Sequence, residues 1–180
     1  MSGRLTWRRW PGCWPLTFGG FPVDPEAKKK ALRKILHGVC VIGVKEGDRL
    51  NAFTATWISQ VSFQPPLVVL AVRKDSLSYS MIEASKVFVI NLLGAGEKPL
   101  AQHFLKPGHL GGDKFQGVRY RLGKVGAPIL EEGIAFVECE VRRIDPGGDH
   151  AVVIGEVVEA GVHRDAEPLS LKETGWQYGG

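Results

Sequence analysis

Residues 51–78, NAFTATWISQVSFQPPLVVLAVRKDSLS, decide how the rest of the chain is read. Leu67 to Val72 is a short valine-rich apolar run, bounded behind by Pro65 and Pro66 and ahead by Arg73-Lys74-Asp75. That is the pattern of a buried strand with a hard start and a charged stop. A first strand leads through Asn51 to Trp57, and a polar-lined turn joins the two. Ser76 is placed to cap a helix over Leu77 to Ala84, with Ser78 in its first turn. Helix-start amides, two hydroxyls and the cations of Arg73 and Lys74 thereby gather within about six residues, a set that suits a phosphate. The same residues also read as an ordinary capped helix beside two solvated cations, and locally both readings stand.

Outward toward the N-terminus, Pro25 opens EAKKKALRKIL, an amphipathic pattern that turns Ala31, Leu32, Ile35 and Leu36 inward and its lysines to water. Gly38 ends it, Val39 to Val44 is a strand, and Glu46-Gly47-Asp48 turns the chain back. Residues 1–24 differ from everything after them. Trp7, Trp10 and Trp14 alternate with Arg, Pro and Gly without a helix or strand period, so a poorly ordered arm is expected there, followed by one domain over 25–180.

Toward the C-terminus, Val87 to Leu93 is an apolar strand carrying Asn91 as an isolated polar residue, and Pro99 to Phe104 a short helix. The stretch LKPGHLGGDKFQGV is a glycine-rich loop made basic by Lys106, His109 and Lys114, of a length that is often functional. Ala135, Val137, Cys139 and Val141 alternate with charged residues and form a hairpin with the run that His150 opens. Gly155 marks a bulge or a close backbone approach. Trp176 and Tyr178 are late aromatics. Six or seven strands with few helices add up to a mainly β fold with peripheral helices, a closed or nearly closed barrel.

Composition bounds the function. The 180 residues, 44% hydrophobic and 23% charged, fit one soluble domain, and no apolar stretch is long enough for a membrane helix. A formal charge of +4 without a Lys/Arg stripe favours anionic small molecules over nucleic acid. Three cysteines at wide spacings signal neither a zinc site nor a disulfide framework, which fits a reducing cytoplasm. GxGxxG, Walker, HExxH and GxSxG patterns are absent. A phosphate cluster on a barrel without hydrolytic groups points to chemistry borrowed from a cofactor.

The runs TATWISQVSFQPPLVVLAV and KDS, then FVINLL, HFLKP, DKFQGV and GGDH, resemble the flavin reductase-like, FMN-binding split-barrel family over roughly residues 26–180. The likeness is nearest to the branch that includes the reductase module of cyanobacterial diflavin proteins. It implies a homodimer binding FMN (FAD is possible) and an enzyme passing hydride from NAD(P)H to flavin N5. In the family, the segment matching Thr54, Ala55, Thr56 and Trp57 lies along the flavin ring. The segment matching Arg73, Lys74, Ser76 and Ser78 holds the phosphate. The loop matching Lys106 and Lys114 closes over it, generally from across a dimer interface, and the position of His150 lies where nicotinamide approaches. Trp57 is bulkier than the residue many relatives carry. The implied electron acceptor is a monooxygenase or another protein. A non-enzymatic FMN electron carrier without a nicotinamide site, and a relative adapted to haem or pyridoxal phosphate, are the alternatives.

Overall fold

A computed structural model describes residues 23–106 and 113–179. The N-terminal arm lies almost wholly outside the described residues, as do Gly108, His109, Gly111 and Gly112 of the basic loop. In chain order the elements are α1 (Pro25–Leu32), β1 (Cys40–Glu46), β2 (Arg49–Ala55), β3 (Ile58–Ser62), β4 (Leu67–Arg73) and α2 (Leu77–Ser85). They continue with β5 (Val87–Leu92), α3 (Lys98–His103), β6 (Tyr120–Leu122), β7 (Pro128–Leu130), β8 (Ala135–Asp145), β9 (His150–Val162) and α4 (Leu171–Thr174).

Seven strands form one antiparallel sheet in the order β2-β1-β5-β8-β9-β4-β3, and β6 pairs with β7 as a small separate ribbon. β2 and β3 stand at opposite ends of that order, yet only Thr56 and Trp57 separate them in sequence. The sheet must therefore curl until its two edges almost meet. This is the split β-barrel, with the split at Thr56-Trp57, and the Trp57 carbonyl already accepts from the Ala71 amide at 3.0 Å on the β4 side.

The barrel interior is filled by Ile42, Val44, Leu70, Val72, Phe88, Ile90, Cys139 and Val153, joined by Met81 and Ile82 of α2. A second cluster, including Val41, Ala52, Leu93, Phe104 and Leu169, covers the other side of β1. Cys40 to Val44 is therefore buried on both faces and reads as an unbroken apolar run, not an alternating one. Gly43 is required within it, because any Cβ there would overlap the Pro128 carbonyl of β7. Asn91 is fully satisfied: its Nδ2 donates to the carbonyls of Val41 (3.1 Å) and Pro128 (3.2 Å), and its Oδ1 accepts from the Leu130 amide (2.7 Å). The isolated polar residue of β5 is thus the fastener that holds β7 to the sheet. At Gly155 both expectations hold. The Phe88 ring would sit 2.6 Å from a Cβ, and the facing strand bulges between Val141 and Arg143.

Three readings are corrected. The polar stretch after Trp57 is a strand, β3, because Ile58 to Gln60 pair with Leu70 to Val68 at the sheet edge. Edge pairing is a backbone matter and leaves no apolar alternation to read. The ribbon β6–β7 has strands of three residues, too short for a period to show. The third correction concerns α1, which stops at Leu32 and has no buried residues. Leu32 is 44% exposed, Ile35 54% and Leu36 87%, so its apolar residues have no partner among the described residues, contrary to the inward face expected.

Candidate functional site

A pocket of about 610 Å³ opens at the split. Ten of the eleven residues singled out from the sequence line it: Thr54, Ala55, Thr56, Trp57, Arg73, Ser76, Ser78, Lys106, Lys114 and His150. Lys74 is the exception. It lies one residue past the end of β4, lines a neighbouring depression, and its amide donates to the Asp149 carbonyl at 3.1 Å.

The hydroxyl-and-cation cluster after β4 is more occupied than the sequence suggested. Ser76 caps α2, accepting from the Tyr79 amide (3.2 Å) while donating to the Arg73 carbonyl (2.7 Å). The Ser78 hydroxyl is buried and accepts from Asn51 Nδ2 at 3.1 Å. Arg73 grips Asp75 through Nε (3.0 Å) and a terminal nitrogen (2.5 Å). That ion pair holds the Asp75 carboxyl below the ordinary carboxylate range. A ligand anion would have to compete with Asp75 for this arginine.

Lys106 and Lys114 reach the pocket of their own chain and have no ion-pair partner among the described residues. Burial pushes the Lys114 amine down to about 8. A desolvated cation without a counter-charge is a site whose charge is completed by an anion.

Thr54 and Thr56 divide the labour of their strand end. The Thr54 hydroxyl donates to the Ala101 carbonyl at 2.6 Å and its amide to the Phe104 carbonyl at 3.4 Å, tying β2 to α3. The Thr56 hydroxyl is buried on the pocket wall without a hydrogen-bond partner among the described residues. A buried, unpaired hydroxyl costs about 1–3 kcal/mol, so this wall gains from a polar ligand edge.

The other end of the pocket is aromatic. Trp57 tilts against His150 (ring centres 4.8 Å) and against Tyr178 (5.2 Å). His150 Nδ1 lies 2.9 Å from Asp149 Oδ1 and Nε2 lies 2.9 Å from the Tyr178 hydroxyl. Asp149 only accepts, which puts the proton of a neutral imidazole on Nδ1 and leaves Nε2 to accept from Tyr178. Burial raises the Tyr178 hydroxyl above its usual range, partly offset by the charge of Arg73, so it remains a donor at neutral pH. The tail that carries Tyr178 is latched by Arg33 at the end of α1, through Nε to the Gly179 carbonyl (3.2 Å) and Nη1 to Gln177 Oε1 (2.6 Å). Trp176 and Gln177 line the pocket as well. Tyr178 and its tail were not assigned to the site from sequence; the only signal was the aromatic cluster after Gly175.

Cys40 and Cys139 are buried and unpaired, and burial pushes both thiols up to about 12, which removes them as nucleophiles near neutral pH. Among the described residues no group of His, Cys, Asp and Glu could hold a metal, and no helix is long and apolar enough to cross a membrane.

The family model described as "Flavin reductase like domain" matches residues 32–179. The chain belongs to this family. The reductase subunit HsaB of a flavin-dependent monooxygenase from Mycobacterium tuberculosis is 34% identical over 135 residues, 75% of this chain and 71% of HsaB. Diflavin flavoprotein A 1 from Synechocystis is 36% identical over 143 residues. This chain spans only 21% to 25% of the length of the diflavin flavoproteins that it matches. Among solved structures, the NADH:FAD oxidoreductase SgcE6 of Streptomyces globisporus superposes with a TM-score of 0.71 at 33% identity, covering 79% of this chain and 87% of that one. Membership makes this a flavin-binding fold. The pocket fits the group: an orphaned hydroxyl faces it, two uncompensated lysines stand at one end, and aromatic rings form the other.

Proposed function

We propose that this chain is an NAD(P)H-dependent flavin reductase that binds FMN, with FAD as the second choice, in the pocket at the split of the barrel. The observation that carries the reading is the pairing of an unsatisfied Thr56 hydroxyl and two unpaired lysines within one apolar cavity. The names of HsaB and SgcE6 support it. When bound, the flavin supplies a ring that accepts hydride from nicotinamide.

The protein's share of that chemistry is positional and electrostatic. Thr56 offers a hydroxyl to the ring edge, and the Thr56-Trp57 link brings backbone polar groups to it. Lys106 and Lys114 hold the phosphate. Trp57 and Tyr178 set the width of the ring-bearing end and exclude water from it. His150, held by Asp149 and Tyr178, positions the nicotinamide or supplies a proton close to it. Arg73 and Ser76 stabilise the strand-to-helix corner against which the flavin tail rests.

The unit is a homodimer in this reading, supported by the exposed apolar side chains of Leu36, Val61 and Phe63. A reducing cytoplasm suits its unpaired thiols. The reduced flavin serves a monooxygenase or another acceptor protein. The test is anaerobic: FMN-loaded protein mixed with NADH, then with NADPH, is expected to lose its yellow absorbance within seconds. A flavin that stays oxidised with both donors removes the reductase reading and leaves the electron carrier.

A further inference from the structure

Beside the main pocket lies a second depression of about 390 Å³, lined by Arg73, Lys74, Asp75, Asp149, His150 and Tyr178. The two cavities share Arg73, Asp75, His150 and Tyr178, so the wall between them is the His150–Tyr178 hydrogen bond and the Arg73–Asp75 ion pair. Their free cations are different ones. Lys106 and Lys114 line only the main pocket, and Lys74 lines only the depression. In the depression, Asp75 is taken by Arg73 and Asp149 by His150. Lys74 is left as its one cation without an ion-pair partner among the described residues, on a backbone fixed by the Asp149 carbonyl.

We infer that this depression seats the pyrophosphate of the nicotinamide dinucleotide, whose ring crosses the His150–Tyr178 wall to reach the main pocket. The inference rests on the reductase reading. A dinucleotide donor needs an aromatic-lined slot joined directly to a separate anion subsite, and these two cavities are joined in that way. Flavin phosphate does not need Lys74, because the main pocket has lysines of its own. The two carboxylates nearby keep the subsite close to neutral overall, which suits a co-substrate that leaves at every turnover and not a resident group.

Lys74→Glu tests it on an exposed side chain, where refolding is not at stake. Parent and variant are assayed with NADH and with 1-benzyl-1,4-dihydronicotinamide, which has the same reacting ring and no phosphate. The ratio of KM for NADH to KM for the neutral donor is expected to rise about tenfold in the variant, the effect of one charge-assisted contact. An equal change for both donors, no change, or weaker retention of flavin overturns the assignment. A second arm needs no turnover: ADP-ribose, which carries the pyrophosphate but no nicotinamide, is titrated calorimetrically into flavin-saturated protein. It is expected to bind the parent about tenfold more tightly than the variant, and equal binding or none overturns the subsite. Failure of the parent to oxidise either donor would instead strike the reductase reading, and the ADP-ribose arm would still decide this one.

Discussion

The two ends of the pocket are built on opposite principles. At the aromatic end both ring nitrogens of His150 are engaged, and the tail bearing Tyr178 is latched by Arg33. At the lysine end two cations reach the same cavity without a counter-charge among the described residues, one of them with a proton affinity depressed by burial. The first end is organised before any ligand arrives, and the second is completed only by one. Ligand affinity is thus expected to respond most to the lysines, and turnover to the aromatic wall.

The largest effect should come from Lys106→Ala/Lys114→Ala. Loss of two charge-assisted contacts is expected to raise the dissociation constant of FMN about 100-fold, while riboflavin, without phosphate, changes far less. Quenching of flavin fluorescence measures both, and equal losses for the two ligands would erase the contrast between the ends. The next effect is on pH. An anion beside Lys114 raises its proton affinity above the value of about 8 held in the free protein. FMN binding is therefore at full strength below that value and weakens as pH rises through it, by about tenfold per unit until the bound-state value is reached. A flat affinity between about pH 7 and pH 9 would contradict the assignment.

At the other end, Tyr178→Phe keeps the ring and removes the donor to His150. It is expected to lower kcat/KM for NADH by about threefold to tenfold with FMN affinity unchanged, the size of one neutral hydrogen bond. A loss of flavin instead would show that the two ends are not separate. The smallest effect is that of Arg33→Ala, whose bonds are exposed: thermal unfolding should fall by about 2 °C or less while KM for NADH roughly doubles, a latch loosened without loss of the fold.

How far the sequence reached differs between these ends for a physical reason. Leu67 to Val72 and the Ser76 cap were legible because proline, a charged stop and a hydroxyl at a helix start are local devices, and the observed β4 and α2 follow them closely. Strand β3 was missed since Ser59, Gln60 and Val61 face solvent and are strand only through their partners in β4. The amphipathic pattern before Gly38 was over-read, because periodicity shows which face could be buried and not whether anything covers it. Lys74 and Lys106 looked equivalent as cations near one cluster, yet their places in the fold give them to separate cavities. The bond from Tyr178 to His150 spans 28 residues and leaves no trace in local pattern.

The two-residue link between β2 and β3 has a consequence for solution behaviour. It holds two strand edges side by side without letting them zip together, and bare strand edges recruit other chains. A planar ring with alternating donors and acceptors along one border would blunt that stickiness much as a guard strand does. Emptying the protein of its flavin should thus cost it colloidal life as well as activity. With ligand at about 100 times its dissociation constant, linkage adds about 2.7 kcal/mol to the folded state, and clumping on heating should be delayed accordingly.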